Sequence, residues 1–597
     1  MAGVAGAGGK RGRGGGEGES GVVKKNEALS FGELSSQFFL AIEVLKIKGF
    51  TRRLWARDPG LWKNIPDDRE IIENSLGWLT VAERMGREVK ELKAFASSVK
   101  KAGFRHVVVL GMGGSSLAPL VLAAVFGRKR GWPELRVLDS TDPAALRGIE
   151  SSVDPARTLF IVSSKSGTTV EPLSFFEYFY EKVKAVKKKE PGKNFIAITD
   201  PGSHLEGLSK ELKFRRVFLN PPDIGGRYSA LSYFGLVPAV LAGIDIKKLL
   251  ASAAWMGEEC GPAVSPGENP GVRLGAALGA FAMVGRDKVT FLISKKFSSF
   301  ALWIEQLLAE STGKQGRGLV PIAGEPEVEP GKYGSDRVFV VVGDVSEFKT
   351  LAGGLKDAGH PVITLPIETP HDLGGEFLRW EIAAATAGCI LGINPFDQPD
   401  VEEAKKRTKG LLEVISGGKT LSVPHVVMEG ESFELSFGEK TRERLSAMDG
   451  IKRDDPLELL KSFLGLASGG NYLCMLAYAD PDNVELDGAF SAIRRALGRK
   501  TGAATQFGYG PRYLHSTGQL HKGGRNNGVF LIFTHVAAED LDIPGRPYTF
   551  SGLELSQALG DLEALEAKGR SVALVNLKSV SPEALEEVGS VLDGLAL

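Results

Sequence analysis

The sequence predicts an α/β protein with two doubly wound parallel sheets, each an αβα sandwich, and an additional C-terminal α+β domain. The chain has 597 residues, enough for about three to four domains. Its 43% apolar and 24% charged residues are typical of ordinary globular domains. Its central part alternates short, nearly unbroken apolar runs with stretches long enough for helices, which indicates parallel strands covered on both faces.

We divide the chain into five segments. Residues 1–26 are a Gly-rich tail that we expect to be disordered, and residues 27–101 are a helical region that a capping box of Ser30 and Glu33 would open. Residues 102–255 and 270–420 contain the two sheet domains, and residues 421–597 the C-terminal α+β domain. The predicted strands are 105–112, 135–141, 158–164, 194–199, 214–220, 288–295, 319–322, 337–344, 361–367, 471–478, 528–534 and 571–577, and the predicted C-terminal helices are 484–500 and 552–568.

Composition excludes several classes of protein. The 73 basic and 73 acidic residues balance, so no overall field attracts nucleic acid or an anionic membrane. Three widely spaced cysteines and eight histidines without metal-ligand spacing argue against a disulfide scaffold and against a metal site. No apolar run reaches the roughly 18 residues of a membrane span, and no signal peptide is recognisable. We therefore expect a cytoplasmic protein.

Two loops rich in small residues follow the first and third predicted strands. The first contains Gly114 and Ser115; Ser116 occupies the third glycine position, so it is not a dinucleotide-binding GxGxxG. The second runs from residue 163 to 169 with five hydroxyl side chains and one lysine. Helix N-termini bind anions through backbone N–H groups and the helix dipole. The second loop therefore predicts a phosphate site, with a plain helix cap as the alternative.

Two further segments offer charged groups for chemistry. Gly225 and Gly226 allow close backbone approach before Arg227, a fixed cation suited to an oxyanion, although a turn with a surface arginine is the simpler interpretation. Gln306 and Glu310 share one helical face, and a partly desolvated Glu310 could remove a proton from a carbon next to a carbonyl. An isolated glutamate at such a helix end is more often exposed.

Three other polar residues have weaker local signals. His371 follows the predicted strand 361–367 and could transfer a proton, but a solvated or helix-capping histidine is as consistent with its position. Gln398 begins a helix that contains Lys405, which could stabilise charge on a sugar oxygen or form a salt bridge with Glu402.

Taken together, these segments resemble the glucose-6-phosphate isomerase family, which is built from two sugar-isomerase (SIS) domains. The motifs LGMGGSSLAP, SSKSGTTVEP, DIGGRYSALSYFGL, EQLLAESTGK and GINPFDQPDVEEAKK carry the resemblance in order, with Asp400 departing from the small residue usual in the last. The segment GYGPRYLHSTGQLHKGG is similar to the isomerase half of bifunctional transaldolase/phosphoglucose isomerase proteins. The resemblance implies reversible isomerisation of glucose 6-phosphate and fructose 6-phosphate through a cis-enediol, without a metal or organic cofactor.

The resemblance also implies roles for individual residues. Glu310 would be the base, Arg227 would stabilise the enediolate, and His371 and Lys405 would act at the ring-opening end. The residues implied in substrate binding are Gly114, Ser115, Ser164, Lys165, Ser166, Thr168, Thr169, Gly226, Gln306 and Gln398.

Alternatives remain open at this stage. His515 and His521 are other candidates for ring opening, or none of the three opens the ring. A non-catalytic phosphosugar-binding module would need the phosphate loop but no base, and a broader enzyme would also accept mannose 6-phosphate. The resemblance implies a homodimer, and a separate transaldolase is a further conceivable partner.

Overall fold

The computed structural model describes residues 27–448 and 455–595, so the predicted tail of residues 1–26 lies outside the described residues. The N-terminal region consists of strand β1 (Ala28–Ser30) and helices α1 (Ser35–Ile47), α2 (Phe50–Trp55), α3 (Pro66–Glu73) and α4 (Val81–Lys101). The capping-box prediction is wrong. Ser30 lies in β1 and pairs antiparallel with Val362 at the edge of the second sheet, where unpaired backbone groups are available, and α1 begins without a side-chain cap.

The first sheet domain has the predicted doubly wound form. Its elements are β2 (His106–Gly111), α5 (Leu117–Phe126), β3 (Glu134–Leu138), α6 (Pro143–Ser152), β4 (Thr158–Ser163), α7 (Val170–Val186), β5 (Phe195–Thr199), α8 (His204–Glu211), β6 (Arg216–Leu219), α9 (Tyr233–Leu241) and α10 (Ile246–Glu259). The strands are all parallel in the order β3-β2-β4-β5-β6. Alternate residues of β2 enter two different cores, for example Val107 and Val108, which explains its unbroken apolar sequence.

The second sheet domain repeats the architecture. Its elements are α11 (Pro270–Met283), β7 (Lys288–Ile293), α12 (Phe300–Thr312), β8 (Val320–Ile322), β9 (Arg337–Gly343), α13 (Lys349–Asp357), β10 (Val362–Pro366), α14 (Leu373–Leu391) and α15 (Val401–Ser416). The strand order is β1-β10-β9-β7-β8, with β1 as the one antiparallel member.

The C-terminal region contains a third sheet. Its elements are β11 (Val426–Glu429), β12 (Phe433–Phe437), α16 (Glu439–Ser446), α17 (Pro456–Gly465), β13 (Tyr472–Tyr478), α18 (Val484–Thr501), β14 (Ala504–Gly510), α19 (Gly518–Gly523), β15 (Gly528–His535), α20 (Phe550–Ala567), β16 (Ser571–Leu577) and α21 (Pro582–Gly594). The order is β11-β12-β16-β15-β13-β14. The four strands from β13 to β16 are parallel, and of the six only β12 runs in the opposite direction, antiparallel to both β11 and β16. This region is therefore a mixed, mainly parallel α/β unit and not the α+β arrangement expected.

The third sheet packs on both other domains. Gln506 of β14 donates from Nε2 to the backbone oxygen of Pro321 in β8 at 2.9 Å. Arg512, just after β14, pairs with Asp139 of the first domain at 2.7 and 2.9 Å. The carboxyl end of β14 is thereby placed over the gap between the first two domains. Within the described residues, every helix is too short or too polar to span a lipid bilayer.

Candidate functional site

Arg227 lies at the centre of the site and contacts several of its residues. It lies in the loop after β6, its side chain is only 3% exposed, and all three of its nitrogens have partners. Nη1 is 3.3 Å from Oε1 of Glu310 and donates to Oε1 of Gln398 at 2.8 Å, while Nε donates to Oγ of Ser311 at 2.9 Å. Nη2 donates to the backbone oxygens of residues 395 and 397. This arginine is therefore a fixed, buried cation and not the surface arginine of the simpler interpretation.

Glu310 lies at the end of α12 with its side chain 14% exposed. Its Oε2 accepts a hydrogen bond from Nε2 of Gln306 at 3.0 Å, across one helical turn. Nε2 of Gln306 also donates to the backbone oxygen of His515 at 2.9 Å. One carboxylate oxygen thus faces a cation and the other an amide, which holds the group in one orientation.

Lys314 contacts the same backbone segment as Arg227. Its side chain is 1% exposed, and Nζ donates to Oδ1 of Asp397 at 2.6 Å and to the backbone oxygen of the same residue at 2.5 Å. Burial and the nearby charge of Arg227 lower the pKa of Lys314 to about 8. Because Arg227 also donates to that backbone oxygen, the two cations hold the segment that carries Gln398.

The predicted phosphate loop lies between β4 and α7, at the N-terminus of a 17-residue helix. Oγ of Ser164 lies 3.0 Å from Oγ1 of Thr169 and accepts from the backbone N–H of Gly167 at 3.1 Å. Oγ of Ser166 accepts from the N–H and the hydroxyl of Thr168 at 3.3 and 3.1 Å. These bonds curl the loop about a helix N-terminus, the geometry that proteins use for phosphate groups.

Lys165 does not turn into this loop. Its Nζ pairs with Asp200 and donates to the backbone oxygen of Pro222 at 3.1 Å. In this conformation the lysine ties the loop to the neighbouring strand ends.

The loops after β2 and β6 touch each other. A Cβ built on Gly114 would lie 2.1 Å from the backbone oxygen of Gly226, so only glycine fits there. Gly113 has φ +53°, and its Cβ position lies 2.6 Å from the backbone oxygen of His515. The neighbouring Ser115 is 9% exposed. The glycine turn thus brings the first domain, Arg227 and the C-terminal region together.

A cavity of about 700 Å³ opens beside the phosphate loop. Its size suits a small ligand such as a sugar phosphate. Its polar lining includes Ser166, Thr168, Thr169, Glu171, Lys405, His515 and Gln557. Lys405 lies at the rim, more than half exposed, with Nζ 2.7 Å from Oε1 of Glu402, so both interpretations of this lysine fit its position.

His515 enters this cavity from the turn Arg512–His515, which follows β14. Its Nε2 lies 2.8 Å from Oε1 of Glu171, which is 3% exposed and also accepts from Nε2 of Gln557 at 2.7 Å. Burial by itself would raise the pKa of Glu171, but the His515 ring and these hydrogen bonds outweigh it and place the pKa below its usual value. An ionised carboxylate therefore orients the imidazole.

The other two candidate histidines lie elsewhere. The His371 ring packs edge-on against Phe126, at the far end of α5 from the glycine turn. The ten residues of α5 span about 15 Å, so a single chain does not bring His371 to Glu310. His521 is 1% exposed in the core of the C-terminal region, with Nε2 2.7 Å from Oε1 of Gln506, and burial places its pKa well below the usual value.

The sequence reasoning missed the Glu171–His515–Gln557 contacts and the role of Lys314. Glu171 lies two residues after the hydroxyl loop, and this proximity is the one local sign of its role. Gln557 lies 386 residues from Glu171, and no local pattern marks it.

Comparison with known proteins gives three findings. A family model described as phosphoglucose isomerase matches residues 80–319. The glucose-6-phosphate isomerases of Carboxydothermus hydrogenoformans and Rubrobacter xylanophilus are 31% and 30% identical over 405 residues, which cover 57% and 59% of this chain and 85% and 88% of theirs. The crystal structure of a hypothetical protein from Thermus thermophilus matches with a TM-score of 0.55 and 24% identity, over 65% of this chain and all of that one, a similarity of fold.

Proposed function

This chain belongs to the phosphoglucose isomerase family, and we propose that it interconverts glucose 6-phosphate and fructose 6-phosphate as an aldose–ketose isomerase. The observation that carries the proposal is the Glu310 carboxylate, held between Arg227 and Gln306. The Gln306 amide also contacts the backbone of His515, whose side chain lines the cavity that contains the phosphate-type loop. A phosphosugar-binding module would need the loop but would not need a base fixed in this way.

The proton transfer follows from these positions. Hydroxyl and N–H groups of Ser164, Ser166, Thr168 and Thr169 hold the phosphate at the helix N-terminus. Glu310 takes the proton from C2 of the open-chain aldose and returns it to C1. A second proton passes from the hydroxyl on C2 to the oxygen on C1, so that a cis-enediol lies between the two carbon steps. The negative charge that develops on the sugar oxygen lies near Arg227, whose cation needs no rearrangement to stabilise it. Gln306 and Gln398 position the sugar.

Ring opening needs a group that exchanges a proton with the ring oxygen. We assign this role to His515 in place of His371, because His515 shares the cavity with the phosphate loop and Lys405 and is oriented by Glu171. An imidazole can both donate and accept a proton near neutral pH. Lys405, at the rim, then stabilises charge at the same end of the sugar.

The base is tested by Glu310→Gln. We expect kcat for fructose 6-phosphate to fall at least about 100-fold while substrate still binds, because the amide keeps the shape and loses the proton acceptor. Glu305→Gln on the same helix is the matched control, since the charges near Glu305 are those of Arg494 and Arg512. A Glu310→Gln variant that keeps more than a tenth of the wild-type kcat would exclude this base.

The histidine assignment is tested by comparing His515→Asn with His371→Asn. We expect the first to lower kcat/KM at least about 30-fold and the second to change it less than threefold. The reverse pattern would assign ring opening to His371, delivered by a second subunit.

The homodimer is a further proposal. Helix α1 exposes a row of apolar side chains, with Phe39 63%, Leu40 67% and Ile47 87% exposed, which supports burial against a second copy. Light scattering on the purified chain, with Leu40→Glu as the disrupting variant, tests it; a wild-type monomer would exclude it.

A further inference from the structure

A buried cluster of three metal-ligating side chains lies between the first sheet domain and the C-terminal region, outside the proposed active site. Asp142 is the N-cap of α6, with Oδ1 accepting from the backbone N–H groups of Ala144 at 2.7 Å and Ala145 at 3.0 Å. His535 is the last residue of β15, and Glu554 lies in α20. Nε2 of His535 is 2.8 Å from Oδ2 of Asp142, and one ligand atom from each of the three residues lies within 4.8 Å of the others.

The cluster is buried and incompletely satisfied. Asp142 is fully buried, Glu554 is 6% exposed, and the His535 side chain is 4% exposed. Among the described residues, Oε1 of Glu554 and Nδ1 of His535 have no hydrogen-bond partner. A carboxylate buried without a partner is costly, so such groups normally pair with a cation or coordinate a metal.

We propose that Asp142, His535 and Glu554 bind one divalent transition-metal ion, with Zn²⁺ as the favoured occupant. An imidazole nitrogen and two carboxylate oxygens form a mixed donor set that suits Zn²⁺, whereas Mg²⁺ and Ca²⁺ prefer oxygen ligands alone. Two carboxylates and a neutral imidazole carry a charge of −2, which one divalent ion balances. Small side-chain movements bring donors at this spacing to the ~2.0–2.2 Å of Zn–N and Zn–O bonds.

A cavity borders the cluster at His535. A cavity of about 420 Å³ is lined by His535, Asp540, Thr549 and Ser551, among others. Oγ of Ser551 is buried and has no hydrogen-bond partner among the described residues. The cavity thus meets the cluster at His535, while its lining includes neither Asp142 nor Glu554.

The position of the cluster suggests what the ion does. Asp142 belongs to the first domain, while His535 and Glu554 belong to the region that delivers His515. The ion would join two parts of the chain that already meet through the Arg512–Asp139 and His515–Glu171 pairs. His535 lies 393 residues from Asp142 in the chain. A sequence motif with ordinary metal-ligand spacing therefore cannot predict this site.

The test uses the full chain, stripped with EDTA and dialysed, and titrated with Zn²⁺ alone by calorimetry. We expect one Zn²⁺ per chain, bound more tightly than Mg²⁺ or Ca²⁺, and a higher Tm in its presence. His535→Gln and Glu554→Gln should each weaken Zn²⁺ binding at least about 100-fold. His360→Gln, which removes another buried histidine far from the cluster, should leave binding unchanged.

Two results would overturn the proposal: wild-type protein that binds no stoichiometric Zn²⁺, or cluster variants that bind it as tightly as His360→Gln. If the cluster variants fail to fold, X-ray absorption of the Co²⁺-loaded wild-type chain decides. One imidazole in the first coordination shell supports the site, and none refutes it. Neither readout depends on isomerase activity.

Discussion

Replacing Gly114 with alanine perturbs the site at the contact where two loops meet. The added Cβ would lie 2.1 Å from the backbone oxygen of Gly226 and 2.3 Å from its carbon. Ordinary van der Waals contact begins near 3.4 Å, so the loops must separate by about 1.3 Å. Both neighbours are backbone, and no flexible side chain can move aside instead.

The consequence for activity follows from what the second loop carries. Gly226 directly precedes Arg227, so a shift of this size moves the guanidinium away from Glu310 and from the sugar oxygen it faces. A misplacement of about 1 Å can cost roughly 100-fold in rate. We therefore expect kcat/KM for fructose 6-phosphate to fall about 100-fold in Gly114→Ala, with a native circular dichroism spectrum.

The assay is isomerase turnover coupled to detection of glucose 6-phosphate, together with Tm. Gly86→Ala is the matched control: Gly86 lies in α4 with open space around its Cβ position, and alanine is favoured in helices by about 1 kcal/mol. That variant should keep full activity and gain stability. A Gly114→Ala enzyme with wild-type kcat/KM would refute the argument that this contact positions Arg227.

Three further predictions concern binding, stability and pH. Ser164→Ala should raise KM about 10-fold with little change in kcat, because the Ser164 hydroxyl organises the phosphate loop in the ground state and the transition state alike. Ser151→Ala on α6 is the control. An unchanged KM in Ser164→Ala would contradict the assignment of this loop to phosphate binding. Asp561→Ala should destabilise the chain by about 3–5 kcal/mol, because it leaves Lys522 as a buried charge without its partner. In the wild type Nζ of Lys522 is 2.5 Å from Oδ1 of Asp561, and the lysine side chain is 1% exposed. The control Asp593→Ala should not lower stability, and equal Tm values for the two variants would be incompatible with this role of Asp561. Burial raises the pKa of Glu305 to about 8, so the unfolded state loses its proton first and stability falls as pH rises from about 4.5 to 8. The free energy of unfolding of Glu305→Gln, relative to that of the wild type, should therefore rise by about 3 kcal/mol between pH 6 and pH 9, measured by denaturation at both pH values. A difference between the two proteins that does not change with pH would argue against a protonated Glu305.

Much of the candidate site could be predicted from local sequence. Arg227 follows the edge strand β6, whose sequence RVFL begins with an arginine. The hydroxyl loop after β4 and the glycine turn after β2 follow strands with nearly unbroken apolar sequences. Such strands must be parallel and covered on both faces, and the carboxyl ends of parallel strands meet at one edge of the sheet. The order of strands and loops along the chain therefore predicts that these loops lie close together.

Other features required the folded chain. Strand β14 was not predicted, because its sequence ATQFGYG contains two glycines and little alternation of apolar and polar residues. In the structure β13 pairs with β14 along its whole length. Strand β1 forms only because β10 offers an unpaired edge. Neither strand has a local sequence that demands an extended conformation, so tertiary pairing decides both.

The sequence by itself therefore determined the two sheet domains and the residues at their strand ends, because periodicity and loop composition act over short distances. Only the tertiary structure decided which histidine meets those residues and which acids meet His535. His515 and Glu171 are 344 residues apart, and Asp142 and His535 are 393 apart. Contacts at such separations depend on how the third sheet packs on the first two domains, and that packing is set by the summed burial of many side chains.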